Sequence, residues 1–157
     1  MALGAFAIVL VVAVAAVLIG RAGDDGGGGA DLTDTSVKPV VEVPQEEPPS
    51  ELVSEDIVTG DGATAEAGDQ LTMQYVGVLY DTGEQFDASW DTGQPFEFEL
   101  GAGNVIPGWD EGIEGMRVGG RRELTIPPDL AYGPAGQPPD IPPDSTLVFV
   151  VDLLDVK

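Results

Sequence analysis

The chain has 157 residues, enough for one modest domain, and 28 Asp and Glu against six Lys and Arg give it a formal net charge of −22. This acidity argues against a nucleic-acid binder, because the neutralisation of phosphates needs a basic patch. The absence of Cys and His rules out disulfides, thiolate or imidazole metal sites, Cys nucleophiles and histidine-based triads. A catalyst built from this composition must use carboxylates, hydroxyls, backbone amides and shape, so we expect neither a metal nor a cofactor.

The first element is an uncharged apolar run over residues 2–20. As a helix it would be about 28 Å long, close to the roughly 30 Å hydrocarbon core of a bilayer. We predict a transmembrane anchor or signal segment over residues 1–21, followed by a domain outside the cytoplasmic membrane. The alternatives are a secretory signal cleaved near Ala13-Val14-Ala15, which would give a secreted protein, and a buried soluble segment.

Residues 22–50 form an acidic segment with four consecutive glycines and several prolines. This composition offers too little apolar surface to offset the entropy lost on ordering, so we predict a disordered linker. If residues 1–21 are an anchor, the linker is a tether that holds the domain away from the membrane. The alternative is a solvated leader without a specific role.

From residue 51 the pattern becomes that of a folded domain, which we assign to residues 51–157. Alternation of apolar and polar residues predicts strands over residues 71–79, 85–90, 96–100, 121–126 and 146–156. Gly77, in the first strand, indicates a bulge or a close approach of the backbone. Only Pro107–Met116 looks helical, with Pro107 at the first helical position and Gly115 near the end. These elements predict an antiparallel α+β domain.

The carboxylates of the domain show no recognised metal-binding spacing. Glu97 and Glu99 alternate with aromatic residues along one strand, which predicts that both side chains face solvent. No group of acids has the spacing of an EF-hand loop. Asp87 is the exception, because its position directly after Phe86 suggests partial burial.

Aromatic residues occur in nearly every predicted element, so in so small a domain they must converge. They are Tyr75, Phe86, Phe96, Phe98, Trp109, Tyr132 and Phe149. Any one of them alone is best interpreted as a core residue. Together with Val105 and Ile106 they could instead line an apolar cavity, with Trp109 of the short helix as its floor.

Several segments resemble the FKBP-type peptidyl-prolyl cis–trans isomerases, in order and with the expected spacing over about residues 52–157. They are Gln85–Ser89, Pro95–Phe98, Gly103–Gly112, Met116–Gly120, Leu130–Gly133, Ile141–Pro143 and Thr146–Phe149. The resemblance implies a five- or six-stranded antiparallel β-sheet wrapped around one short α-helix. It also implies that the substrate proline lies between sheet and helix, over Trp109.

The resemblance further implies a role for each site residue. The catalytic residues are Asp87 beside the rotating amide, Tyr132 with its hydroxyl on a substrate carbonyl, and Phe86 in the pocket wall. The substrate-binding residues are Tyr75, Phe96, Val105, Ile106, Trp109 and Phe149, and the N–H of Ile106 holds a second carbonyl. Gln137 and Asp140 depart from the family pattern, which leaves substrate preference and drug affinity open.

The implied function is acceleration of rotation about X–Pro bonds in unfolded or partly folded polypeptides, which assists folding outside the cytoplasmic membrane. The implied partners are proline-containing polypeptides and the macrolide inhibitors of the family. We expect a monomer that contacts the membrane through residues 2–20. The alternatives are a non-catalytic proline-binding chaperone or scaffold of the same fold, and a structural acidic domain whose aromatic residues are all core.

Overall fold

The computed structural model describes residues 31–157, so the predicted anchor or signal over residues 1–21 lies outside the described residues. Within residues 31–157, no helix combines the length and apolar character needed to cross a bilayer. The elements, in chain order, are β1 (Val53–Val58), β2 (Gln70–Leu79), β3 (Gln85–Ala88), α1 (Ser89–Thr92), β4 (Phe96–Glu99), α2 (Pro107–Gly112), β5 (Arg121–Ile126), two 3₁₀ turns (Pro128–Leu130 and Gly133–Ala135) and β6 (Leu147–Val156).

The six strands form one antiparallel sheet, which confirms the fold class that the resemblance implied. The strand order is β1-β5-β6-β2-β3, and β4 pairs with the first half of β2. The central strands β2 and β6 have ten residues each, and every residue of β2 from Leu71 to Leu79 has a partner in β6. The apolar alternation of β6 therefore places one row of side chains in the main core: Leu147, Phe149, Val151 and Leu153.

Helix α2 packs on the inner face of the sheet at very short range. Gly108 and Gly112 lie one helical turn apart and face β5. A Cβ atom on Gly112 would lie 2.8 Å from Cδ2 of Leu124, and one on Gly108 would overlap Ile126. The two glycines therefore allow the backbone of α2 to lie directly on the side chains of β5.

Helix α2 is shorter than the sequence predicted, since it ends at Gly112 and not near Met116. Beyond it, the N–H of Gly115 binds the carbonyl of Ala65 at 2.9 Å, and the N–H of Ala65 binds the carbonyl of Met116 at 2.7 Å. These long-range bonds take the place of further helical bonds. The helix therefore ends early because a distant segment pairs with its continuation.

Two further elements differ from the residue-based prediction. Strand β1 was not predicted, because its first four residues are exposed and its sequence, VSEDIV, lacks a clear apolar alternation. The extended segment predicted over residues 85–90 ends at Ala88, and Ser89–Thr92 forms a single helical turn. Strand β1 pairs with β5, and α1 contacts β2, so both elements depend on segments distant in the chain.

The outer face of the sheet is covered in part by residues 31–43, which we call the strap. Pro39 is buried, Val41 and Val43 are half-buried, and the intervening Val40 is 58% exposed. This alternation places one side of the strap on a second apolar cluster, formed by Val76, Val78, Tyr80, Ala88 and Val148. The few apolar residues of the strap thus share one face and meet an apolar surface.

The first half of the strap is bound by Arg121, which is fully buried. The guanidinium makes a bidentate pair with Asp152, at 2.6 Å from Nε to Oδ1 and 2.8 Å from Nη2 to Oδ2. It also donates to the carbonyl oxygens of Leu32, Asp34 and Val37 at 3.0, 3.2 and 2.9 Å. The strap backbone therefore supplies the acceptors that a buried guanidinium needs beyond its single carboxylate.

Candidate functional site

A cavity of about 260 Å³ opens between the sheet and the start of α2. Its size is near the lower end of ligand pockets, roughly 300 Å³. It is lined by Tyr75, Phe86, Asp87, Phe96, Asn104, Val105, Ile106, Trp109, Tyr132 and Phe149. The structure thus brings together all the site residues that the sequence analysis named, and the cavity between them is not filled by their own side chains.

Trp109 lies at the base of the cavity and is only 4% exposed. Its ring centroid is 5.1 Å from that of Tyr75, 5.9 Å from that of Phe96 and 5.3 Å from that of Phe149, each at nearly a right angle. Such edge-to-face contacts are favourable for aromatic pairs and fix the orientation of the rings. The cavity therefore has a rigid apolar floor.

Gly77 allows two walls of the cavity to meet. A Cβ atom at this position would lie 2.6 Å from Cζ of Phe86 and 2.7 Å from Cε1 of Phe149. The register between β2 and β3 also shifts between Gly77 and Val78. The predicted bulge or close backbone approach at Gly77 is therefore confirmed, and it lets the rings of Phe86 and Phe149 pack at 5.5 Å.

Asp87 lies on the exposed rim of the cavity and accepts a hydrogen bond from the Tyr75 hydroxyl at 2.6 Å. The predicted partial burial of Asp87 is wrong: the residue is exposed, because it lies on β3 at the edge of the sheet, where no further strand packs beside it. Burial, with the nearby Asp87 carboxylate, raises the pKa of both Tyr75 and Tyr132 above the ordinary value of 10. Both phenols are therefore protonated donors at neutral pH.

The loop before α2 contributes Asn104, Val105 and Ile106 to the lining of the cavity. The Asp110 carboxylate accepts hydrogen bonds from the N–H groups of Gly101 and Gly103 at 2.8 and 3.2 Å, which fixes the loop. Ile106 precedes the first helical residue, and its carbonyl accepts from the N–H of Trp109 at 2.9 Å. No hydrogen bond in the described part of the chain uses the N–H of Ile106.

Three residues contribute to the site without having been assigned to it from the sequence. Asn104 lines the cavity, and its position directly before Val105 was an available signal. Asp110, interpreted only as an acid in the first helical turn, orders the loop. The hydroxyl of Ser89 accepts a hydrogen bond from the N–H of Tyr75 at 2.7 Å, a contact that no local pattern could reveal because it joins different elements.

The chemistry of the cavity is that of binding and orientation. It combines apolar walls with the Asp87 carboxylate, the Tyr75 and Tyr132 hydroxyls and one backbone donor. Glu97 and Glu99 are exposed on β4, as the alternation predicted. Across residues 31–157, no group of three or more acidic side chains is arranged to hold a metal ion.

Comparisons with known proteins agree with this architecture. A family model for FKBP-type peptidyl-prolyl cis-trans isomerases matches residues 62–154. An FK506-binding protein of Streptomyces anulatus is 55% identical over 120 residues, which are 76% of this chain and 97% of that protein. Since the chain ends at Lys157, this match begins no later than Lys38.

Two further comparisons cover the domain. The peptidyl-prolyl cis-trans isomerase FPR2 of Saccharomyces cerevisiae is 52% identical over 90 residues, 57% of this chain and 67% of its own length. The crystal structure of AtFKBP13 matches with a TM-score of 0.64 and 40% identity, over 70% of this chain and 96% of that one. The family model alone spans more than half of the chain. The chain therefore belongs to the FKBP-type peptidyl-prolyl cis–trans isomerases and is an enzyme of that class.

Proposed function

We propose that the cavity over Trp109 binds a proline of an extended polypeptide and accelerates rotation about the preceding X–Pro bond. The substrates are unfolded or partly folded chains, in which prolyl isomerisation limits folding. The observation that carries the proposal is one apolar cavity of about 260 Å³ with polar groups, Asp87, Tyr132 and the Ile106 N–H, placed around it. This combination fits an apolar ring flanked by two carbonyl groups.

The reaction needs no bond to be made or broken. The uncatalysed barrier of about 18–20 kcal/mol arises from lost amide conjugation, and the two isomers exchange in tens of seconds. The planar imide has more charge separation than the twisted one, so transfer into an apolar cavity destabilises the planar form more. A chain without Cys or His can therefore catalyse this reaction.

Selective binding of the twisted imide supplies the rest of the acceleration. The Ile106 N–H and the Tyr132 hydroxyl hold substrate carbonyls, while Trp109 supports the proline ring. Asp87 orients Tyr75 and shapes the local field without transferring a proton. Each 1.36 kcal/mol of preference for the twisted form raises the rate tenfold.

The proposal is tested with a proline-peptide isomerisation assay on the full chain. We expect Asp87→Asn and Tyr132→Phe each to lower kcat/KM by about tenfold or more, since the first removes the carboxylate charge and the second removes a hydroxyl donor from the cavity. Asp81→Asn, in the exposed turn after β2, is the matched control and should keep wild-type activity. Circular dichroism checks that the fold is retained.

Two outcomes would contradict the proposal. Wild-type activity in both Asp87→Asn and Tyr132→Phe would place catalysis elsewhere. Saturable binding of proline peptides by a wild-type chain that shows no turnover would favour the chaperone or scaffold alternative.

The same cavity is proposed to bind a macrolide, in the way that the name FK506-binding protein indicates for the Streptomyces relative. Its polar groups would then hold macrolide carbonyls in place of peptide carbonyls. We expect FK506 to compete with the proline peptide. Turnover unaffected by saturating FK506 would contradict this part of the proposal.

For location, we propose that residues 2–20 anchor a monomeric enzyme to the membrane, with the domain on the extracytoplasmic side. The support is the length and uncharged character of this run. Cell fractionation, with sequencing of the mature N-terminus, is the test. A soluble mature protein that begins near residue 16 or later would indicate a cleaved signal.

A further inference from the structure

We propose that the strap is a positioning device for the isomerase site, in which Val41, Val43 and Lys38 hold β3 from the outer face. This inference rests on the proposed function of the cavity. Strand β3 supplies two cavity residues, Phe86 and Asp87, so any displacement of β3 changes the rim of the cavity.

Strand β3 needs support from the strap because it makes few hydrogen bonds within the sheet. It has four residues, lies at the edge of the sheet and pairs only with β2. The pairing is interrupted by the register shift at Gly77. Short edge strands with few backbone hydrogen bonds open more easily than central strands.

The strap supplies apolar contacts behind β3. Val41 and Val43 pack with Trp90 on the cluster that contains Ala88, the last residue of β3. A Cβ atom on Gly83 would lie 3.4 Å from Cγ2 of Val43, so Val43 also rests on the turn that joins β2 to β3. The strap thus packs on the turn before β3 and on the apolar cluster that includes the last residue of β3.

A shared carboxylate adds a polar link. Asp91, in α1 directly after β3, accepts a hydrogen bond from Nζ of Lys38 at 2.6 Å and from Nε2 of Gln85 at 2.8 Å. Gln85 is the first residue of β3. One side chain therefore connects the strap to both ends of the segment that carries Phe86 and Asp87.

The other end of the strap is fixed to a different part of the sheet. Arg121, in β5, binds three carbonyl groups of the strap through its buried guanidinium. Strands β6 and β2 lie between β5 and β3 in the sheet. The strap therefore crosses the outer face and ties the edge strand to the well-buried half of the domain.

Comparison of two relatives limits the inference to proteins that have this segment. The match to the Streptomyces protein includes the strap from Lys38 onwards. The 90-residue match to the yeast isomerase cannot contain both Val43 and β6, which are more than 100 residues apart. The Streptomyces relative therefore shares part of the strap, whereas the yeast match does not span both the strap and β6.

The test compares two double variants of the full chain. Val41→Ser with Val43→Ser removes the packed side chains, and Val37→Ser with Val40→Ser alters the exposed valines of the same segment, at 49% and 58% exposure. For the first we expect faster amide hydrogen exchange in β3 but not in β5 or β6. We also expect kcat/KM to fall by about tenfold, since small displacements of site groups reduce rates strongly. The second should match the wild type.

Two milder single variants at Lys38 keep the test usable if the Val41→Ser, Val43→Ser double variant fails to fold. Lys38→Met should lower kcat/KM by about twofold, because exposed ion pairs contribute little, and Lys38→Arg should restore it. Lys157→Met is the control, since Lys157 lies 3.9 Å from Asp155 at the end of the chain. Rescue by Lys38→Arg distinguishes positioning from a general loss of stability.

Several results would overturn the inference. One is that the amide hydrogens of β3 exchange at the same rate in the two double variants and that both variants have the same kcat/KM. Another is faster exchange in all strands alike, which would show that the strap only stabilises the fold. If the wild-type chain has no isomerase activity, the proposed function fails, and the exchange rates of β3 alone decide whether the strap holds this strand.

Discussion

Three polar side chains at the cavity, Asp87, Tyr75 and Tyr132, are consistent with the proposed mechanism, which needs no proton transfer. Tyr75 donates to Asp87 at 2.6 Å and thereby holds the carboxylate at the rim. Tyr132 lines the same cavity. Because burial and the Asp87 carboxylate raise the pKa of both tyrosines, neither phenol can act as a base near neutral pH. The two hydroxyls therefore serve as permanent hydrogen-bond donors.

We expect kcat/KM to be constant between about pH 6 and 9, since both phenols keep their protons over this range. Above about pH 10 the phenols of the unfolded chain ionise first, so the unfolded state binds fewer protons than the folded state. The free energy of unfolding should then fall as the pH rises. Isomerisation rates and urea unfolding at several pH values are the measurements. A rate that rises or falls with an inflection between pH 6 and 9 would show that a titrating group takes part.

Among the elements, β5 has the least obvious role, because it carries a buried cation in a strongly acidic protein. Arg121 joins β5 to β6 through Asp152 and joins the sheet to the strap through three carbonyls. A buried ion pair contributes little net stability when intact, but the loss of one partner leaves an uncompensated charge. The strap and the sheet therefore depend on the same guanidinium.

Arg121→Met should lower the free energy of unfolding by about 3–5 kcal/mol, because Asp152 is left buried without its partner. Adding Asp152→Leu to this variant should recover part of the loss. Arg117→Met is the control, since Arg117 is exposed and binds only backbone carbonyls. Urea denaturation measures all three. Equal stability of Arg121→Met and Arg117→Met would contradict this account of the buried pair.

The molecule as a whole is strongly acidic, and none of its described cations lines the cavity. Of the Lys and Arg residues among residues 31–157, four pair with carboxylates, and Arg117 binds backbone carbonyls. The cavity lining contains Asp87 and no cation. With a net charge of −22, the protein should present a negative potential to an approaching substrate.

Proline peptides flanked by Lys should therefore have a higher kcat/KM than matched peptides flanked by Glu. The difference should be on the order of tenfold at low ionic strength and should shrink as salt screens the field. The measurement is the ratio of the two kcat/KM values in a series from about 0.02 to 1 M NaCl. Over this range the Debye length falls to roughly 3 Å. A ratio that does not change with salt would locate the preference in direct contacts.

Local patterns predicted much of the domain because they reflect short-range physics. Period-2 alternation identified β2 and β6, and Pro107 marked the start of α2, as the structure shows. The close approach at Gly77 was also readable, because a glycine within a strand commonly marks a bulge or a site where another group contacts the backbone. The roles of the site residues came from family resemblance, and they remain predictions although the residues converge.

Features that depend on residues far apart in the chain could not be predicted from local sequence patterns. Ala65 sets the end of α2 through its backbone hydrogen bonds. The edge position of β3 leaves Asp87 exposed. Arg121 holds the strap through its hydrogen bonds to strap carbonyls. Each results from contact between segments far apart in the chain, whereas propensity and alternation describe neighbours. The residue order was thus sufficient for strands β2 to β6, the start of the helix and the family. The exposure of Asp87 and the attachment of the strap were decided by the tertiary structure, because only the folded sheet provides the edge, the surfaces and the hydrogen-bonding groups that these segments meet.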